Sequence, residues 1–122
     1  MVITEKGLLI LSQTGPEDPD RAILPLVVAS MAKVSRIEVK VFLLGDATRL
    51  LTKENIDEVK GDVFPSLRKA YEDLVKEGIE VHVCSRYMKS YGLKKEDLAI
   101  NVKISSLAKL AELGAENGTL TF

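Results

Sequence analysis

The chain has 122 residues, 46% apolar and 29% charged, and its 17 basic and 18 acidic side chains leave a formal charge of −1. That length predicts one domain over residues 1–122, with a core that needs no disulfide or metal, and the near-neutral charge argues against a large footprint for nucleic acid or anionic lipid. No apolar run approaches the ~18 residues of a membrane span, and the start Met1–Lys6 has no basic-then-apolar leader, so with a single Cys the expected setting is the reducing cytoplasm.

Residues 7–12, Gly7-Leu8-Leu9-Ile10-Leu11-Ser12, form a continuous apolar run, as in a strand buried on both faces of a parallel sheet. A loop follows through Asp18, which can cap a helix with Pro19 in its first turn. The helix runs through Arg21 to about Val34, with Leu24, Val27, Val28, Met31 and Ala32 as the expected apolar stripe. Pro25 removes one intrahelical bond and predicts a kink or a later start. Ile37 to Leu44 reads as a second strand, ended by Gly45-Asp46. Residues 47–62 carry the weakest pattern: one helical turn at Arg49–Leu51, then a short helix from Thr52 through Val59. Phe64, Leu67, Tyr71 and Leu74 recur at helical spacing before Gly78, a good residue to end a helix.

Ile79 to Val83 is the third strand, and Cys84 follows it. A short helix spans Ser85 to Tyr91 and stops at Gly92. Ile100, Val102 and Ile104 alternate with Asn101 and Lys103, the pattern of a strand with one wetter side. Ser105 or Ser106 caps a helix through Leu113, stopped by Gly114, and Thr119–Phe122 is a last short strand. Alternating strands and helices with short connections predict a three-layer α/β domain around a mostly parallel five-stranded sheet. Ligands and reactive groups of such sheets gather at the carboxyl ends of the strands. Ser12–Asp18, Gly45-Asp46 and Cys84 should share that edge.

Cys84 is the one cysteine in the chain, so it forms no intrachain disulfide. At a helix N-terminus, backbone N–H groups and the helix dipole favour a thiolate. A buried free cysteine is more often a small hydrophobe. His82 shares the strand face of Cys84, but at ~7 Å along a strand it is far for direct proton transfer, and a histidine satisfied by a neighbour is the plainer reading. Ser85, Arg86 and Lys89 stand in the following turns and would favour anionic sulfur. Tyr87 and Tyr91, one turn apart, read as packing or interface residues. Thr14-Gly15-Pro16 is neither a P-loop nor a dinucleotide fingerprint. Ser85, Ser105 and Ser106 lack the glycine-flanked elbow of a hydrolase. Glu17, Asp18 and Asp20 read as helix-start residues, Asp46 as a turn residue, and Lys94–Asp97 as a solvated surface. No metal-ligand spacing or cofactor motif is present.

Several segments in order resemble the DsrE/DsrF-like, or YchN-like, sulfur-relay family. They are Leu8–Leu11 with the Asp20-Arg21-Ala22 helix start, Glu38–Phe42, Glu77–Cys84 with Tyr91-Gly92-Leu93, and Ser105–Leu107 through Leu120–Phe122. The resemblance implies a flavodoxin-like fold, a homo-oligomer (often trimer or hexamer) and a cysteine, here Cys84, that carries sulfane sulfur as a persulfide. It departs at Ser85–Met88, where better-known members have small residues after the cysteine. The resulting expectation is a sulfur carrier working between donor and acceptor proteins or small sulfur compounds. Against it stand a non-enzymatic binding module in which Cys84 is structural, and a thiol peroxidase, for which no motif is present.

Overall fold

The computed structural model describes residues 7–122. The opening segment read above for a leader, residues 1–6, lies outside them. Five strands form one sheet: β1 (Leu8–Ser12), β2 (Val39–Leu43), β3 (Glu80–Cys84), β4 (Val102–Ser105) and β5 (Gly118–Thr121). The order across the sheet is β4-β3-β2-β1-β5, and each neighbouring pair is parallel. Helices α1 (Pro19–Val34), α2 (Leu67–Lys76), α3 (Ser85–Ser90) and α4 (Leu107–Glu116) connect them. The architecture is the expected three-layer, flavodoxin-like α/β fold, with a sheet that is wholly parallel.

Topology decides where the helices lie. From β1 through β4 the chain steps in one direction across the sheet, and from β4 it returns past all the others to β5. Parallel crossovers are right-handed, so the reversal puts α4 alone on the second face. Helices α1 and α2 pack together on the first face, over Ile10, Val39, Val41, Leu43, Val81 and Val83, which belong to the large core. The second face has a small core of Leu9, Phe42, Cys84 and Leu113. Strand alternation sets this division. Edge strands of a five-stranded sheet lie ~19 Å apart, whereas the ten residues of α4 span only ~15 Å. Part of the second face therefore stays open.

Several local expectations shift. Helix α1 begins at Pro19 and continues through Pro25, which is buried inside it, so no later start occurs. Its buried face is Ala22, Ile23, Leu26, Ala29 and Ala32. Of the expected stripe only Ala32 is buried, and Met31 is 57% exposed. No α-helix forms at 52–59. Gly45–Arg49 is a 3-10 turn, and Leu50, Leu51, Ile56 and Val59 then bury an irregular segment into the core. Thr52 bridges to Leu98. Phe64 precedes α2, whose cap is Ser66. Strand β4 begins at Val102, leaving Ile100 outside it and 77% exposed. Helix α4 runs past Gly114 to Glu116, capped by Ser106, which accepts from the Lys109 N–H. Gly78 and Gly92 end their helices with positive φ of 73° and 68°, where a side chain would be strained. No helix among the described residues is long and apolar enough to cross a membrane.

Candidate functional site

Strand β3 carries the densest chemistry. Glu80, His82 and Cys84 alternate onto the α4 side of the sheet. Cys84 is the last residue of β3 and the N-cap residue of α3, with extended backbone. It is completely buried, packed with Leu9, Phe42 and Leu113 and flanked by the half-buried Leu11, Leu44 and Leu110. The expected position at the carboxyl end of the third strand is met. The surroundings are apolar rather than basic. Ser85, Arg86 and Lys89 are exposed on α3, and their side chains make no hydrogen bond or ion pair among the described residues.

His82 is buried and its ring stacks on Phe42, with centroids 5.8 Å apart and planes 1° from parallel. Its Nδ1 lies 2.7 Å from Ser105 Oγ and its Nε2 lies 3.3 Å from Glu80 Oε2. The other Glu80 oxygen accepts from Lys103 Nζ at 2.7 Å. That ammonium holds the Glu80 carboxyl below its ordinary range, with help from His82, so Glu80 is ionised and only accepts. The His82 proton therefore sits on Nε2, and the Ser105 hydroxyl donates to Nδ1. Burial pushes the His82 pKa down, against the pull of Glu80. The plainer expectation for His82, a histidine satisfied by its neighbours, matches this geometry. Ser105 is also the register partner of Cys84 on β4. The network thus reaches the strand position beside the thiol. It opens into a groove of about 700 Å³ lined in part by Lys95, Lys103, Ser105 and Lys109.

A second cluster occupies the carboxyl edge of β1 and β2. Arg49 Nη2 donates to Glu17 Oε1 at 2.6 Å and lies 3.6 Å from Asp46 Oδ1. The Arg49 guanidinium also stands 5.0 Å over the Tyr91 ring. The Tyr91 hydroxyl donates to Asp46. Here Gly15 is needed for close approach, since a Cβ would come within 2.7 Å of Asp46 Cβ. The acidic loop residues disperse. Glu17 joins Arg49, Asp18 pairs with Arg21, and Asp20 accepts from the backbone N–H groups of Asp62, Val63 and Phe64.

A sequence profile of the DsrE/DsrF-like family matches residues 6–122. The chain belongs to the DsrE/DsrF-like family. An uncharacterized protein of Methanopyrus kandleri is 30% identical to it, over 98% of both chains. An uncharacterized protein of Methanocaldococcus jannaschii is 26% identical over 80% of this chain, which spans only 36% of that longer relative. Among solved structures, the ychN protein of E. coli superposes with a TM-score of 0.81 at 20% identity, covering 96% of this chain and 99% of the other. A Methanobacterium thermoautotrophicum protein of unknown function superposes with a TM-score of 0.70 at 15% identity, covering 94% and 96%. These structures share the fold of this DsrE/DsrF-like chain.

Sequence reasoning did not anticipate Glu80, Lys103 or Arg49 as members of these clusters, or the contact of Ser105 with His82. Strand alternation put Glu80 on the His82 face. Lys103 and Ser105 required the register between β3 and β4, which is fixed only by tertiary pairing.

Proposed function

We propose that this chain is a sulfur carrier, with Cys84 as the residue that holds sulfane sulfur. The supporting observation is the placement of the sole cysteine at the carboxyl end of β3, at the junction with α3, in a family generally associated with sulfur relay. The Cys84 thiolate attacks the outer sulfur of a donor persulfide R–S–SH. A new S–S bond forms, the donor S–S bond breaks, and R–S⁻ leaves with the electron pair. An acceptor thiolate then attacks the outer sulfur of Cys84–S–SH and releases Cys84 as thiolate. With no second cysteine in the chain, no thiol of the same subunit can discharge the persulfide as a disulfide. Arg86 and Lys89, exposed on α3, would favour acidic partner proteins, and Ser85 and His82 flank the thiol in sequence. The working form is a homo-oligomer, trimer or hexamer, in the reducing cytoplasm. Because Leu110 and Leu113 help to cover Cys84, transfer requires α4 to move.

Incubation with polysulfide followed by intact mass under non-reducing conditions tests this. A gain of ~32 Da per sulfur, lost in Cys84→Ser, is expected. No such gain speaks against the carrier. The complete burial of Cys84 favours a second reading, a binding module in which the cysteine only packs. It predicts native-state alkylation no faster than global unfolding and full function in Cys84→Ser.

A further inference from the structure

We propose that the groove along the β4 edge of the sheet, continuous with its open second face, is a binding site for small oxyanions, held by Lys95, Lys103 and Lys109 beside the His82–Ser105 pair. This goes beyond the sulfur-carrier reading and does not depend on Cys84.

The topology creates the groove. Helix α4 alone covers this face and cannot reach across it, so the β3–β4 side remains uncovered. The lining is unusual for exposed sheet surface, with three lysines against one carboxylate, Glu80, in a space of about 700 Å³. Glu80 is already engaged by Lys103 at 2.7 Å and by His82 at 3.3 Å. Lys109 has only a distant partner, Glu112 at 4.0 Å. Lys95 pairs with no carboxylate among the described residues. The groove therefore holds excess positive charge that its own side chains do not neutralise, and such a concavity concentrates anions.

Its floor adds directional groups. Ser105 Oγ is fixed by His82 at 2.7 Å. Once His82 is protonated at Nδ1 the ring donates to Ser105 Oγ, and the Ser105 O–H is freed to donate to an oxyanion oxygen. His82 reads the same field: Lys103 and Lys109 both disfavour its protonation. An anion between the lysines would relieve that repulsion and favour the imidazolium, which then donates from both ring nitrogens. The fitting ligand is a compact divalent oxyanion, either a phosphate group or a sulfur oxyanion such as thiosulfate. Chloride, a monovalent sphere, carries half the charge and has no separate oxygens with which to meet the hydroxyl and the ammonium groups at once.

His82 is the chain's one histidine, so its imidazole signals report on this groove without assignment ambiguity. The test titrates inorganic phosphate and, separately, thiosulfate into the folded protein at fixed pH, following the His82 ring resonances by NMR. Sodium chloride at matched ionic strength is the control. A saturable shift with either oxyanion, weakened about tenfold in the double variant Lys95→Gln/Lys109→Gln, is expected, since two exposed ion contacts are worth about that factor together. Lys60→Gln, outside the groove, should leave the affinity unchanged. Tighter binding of thiosulfate assigns a sulfur oxyanion as ligand, tighter binding of phosphate a phosphorylated one, and each supports the site. A linear shift, a response equalled by chloride, or an affinity unchanged in the double variant overturns it.

Discussion

At the scale of residues, one carboxylate and one imidazole tie distant segments together, and each gives the molecule a pH dependence. Asp20, at the start of α1, accepts from three consecutive backbone N–H groups at residues 62–64. The Phe64 N–H is the main cause of its lowered pKa, and the Val63 and Asp62 N–H groups add to it. A carboxyl depressed on folding contributes stability that is present above its unfolded pKa, near 4, and is lost as pH falls through the folded value. Asp20→Asn should therefore flatten the acid limb of a stability–pH profile measured by urea unfolding below about pH 4. The same contact explains Gly61, where an added Cβ would fall 1.9 Å from Asp20 Oδ1 and 3.1 Å from the Phe64 carbonyl oxygen. Gly61→Ala should lower the melting temperature by displacing this latch. His82 works at higher pH. Burial disfavours its charged form when folded, so below about pH 6.5 the unfolded chain takes up a proton that the native chain does not. Stability should fall as pH drops from about 7 toward the folded value. The NMR midpoint of His82 should lie below the free-imidazole value, and His82→Gln should remove that slope.

At the scale of elements, α4 is the piece on which access to Cys84 turns. Leu113 is its one buried residue, and Leu113 lies in the small core with Cys84. A helix anchored by so little apolar surface belongs to the low-stability end of a fold. Leu113→Ala should cost about 2–4 kcal/mol, the range of buried Leu truncations, and Ser106→Ala about 1 kcal/mol through loss of the cap. Both should speed native-state alkylation of Cys84 by more than a control such as Leu74→Ala, which leaves a cavity on the other face. Equal acceleration by all three would mean that Cys84 is reached only through global unfolding. The elements also show what the sequence made legible. A continuous apolar run marked β1, apolar residues alternating with polar ones marked β2 and β3, and Gly78 and Gly92 marked two helix ends, because these signals are local. The buried face of α1 was not legible. Ile23, Leu26 and Ala29 interleave with Leu24, Val27 and Val28, so a helix apolar on most sides offers two stripes. Residues 50–59 misled for a related reason, since Leu50, Leu51, Ile56 and Val59 are anchors of an irregular segment that happen to sit near helical spacing. In the candidate site, Cys84 was legible from its strand. The Glu80–His82–Ser105–Lys103 cluster was not, because half of it comes from another strand.

At the scale of the whole molecule, the single return crossover leaves this fold lopsided, with a well-covered first face and a thinly covered second one. Apolar side chains are exposed at both edges of the sheet. Every residue of β5 is exposed, including Leu120 at 44%, and on the opposite side Ile104 of β4 is 41% exposed and Leu107, at the start of α4, 44%. An exposed parallel edge strand presents unpaired backbone N–H and C=O groups, which proteins cover, charge or pair. β5 carries no charged residue in Gly118–Thr121, so nothing in its own side chains protects that edge. A second copy of the chain is the cover that the homo-oligomer proposal supplies. Light scattering should then give a mass that is a multiple of 13.4 kDa. Leu120→Lys would put a charge on the unprotected edge and should lower that multiple while leaving the far-ultraviolet circular dichroism unchanged. A wild-type mass of one subunit at micromolar concentration would remove the oligomer from the argument. The edges of β4 and β5 would then be free surface.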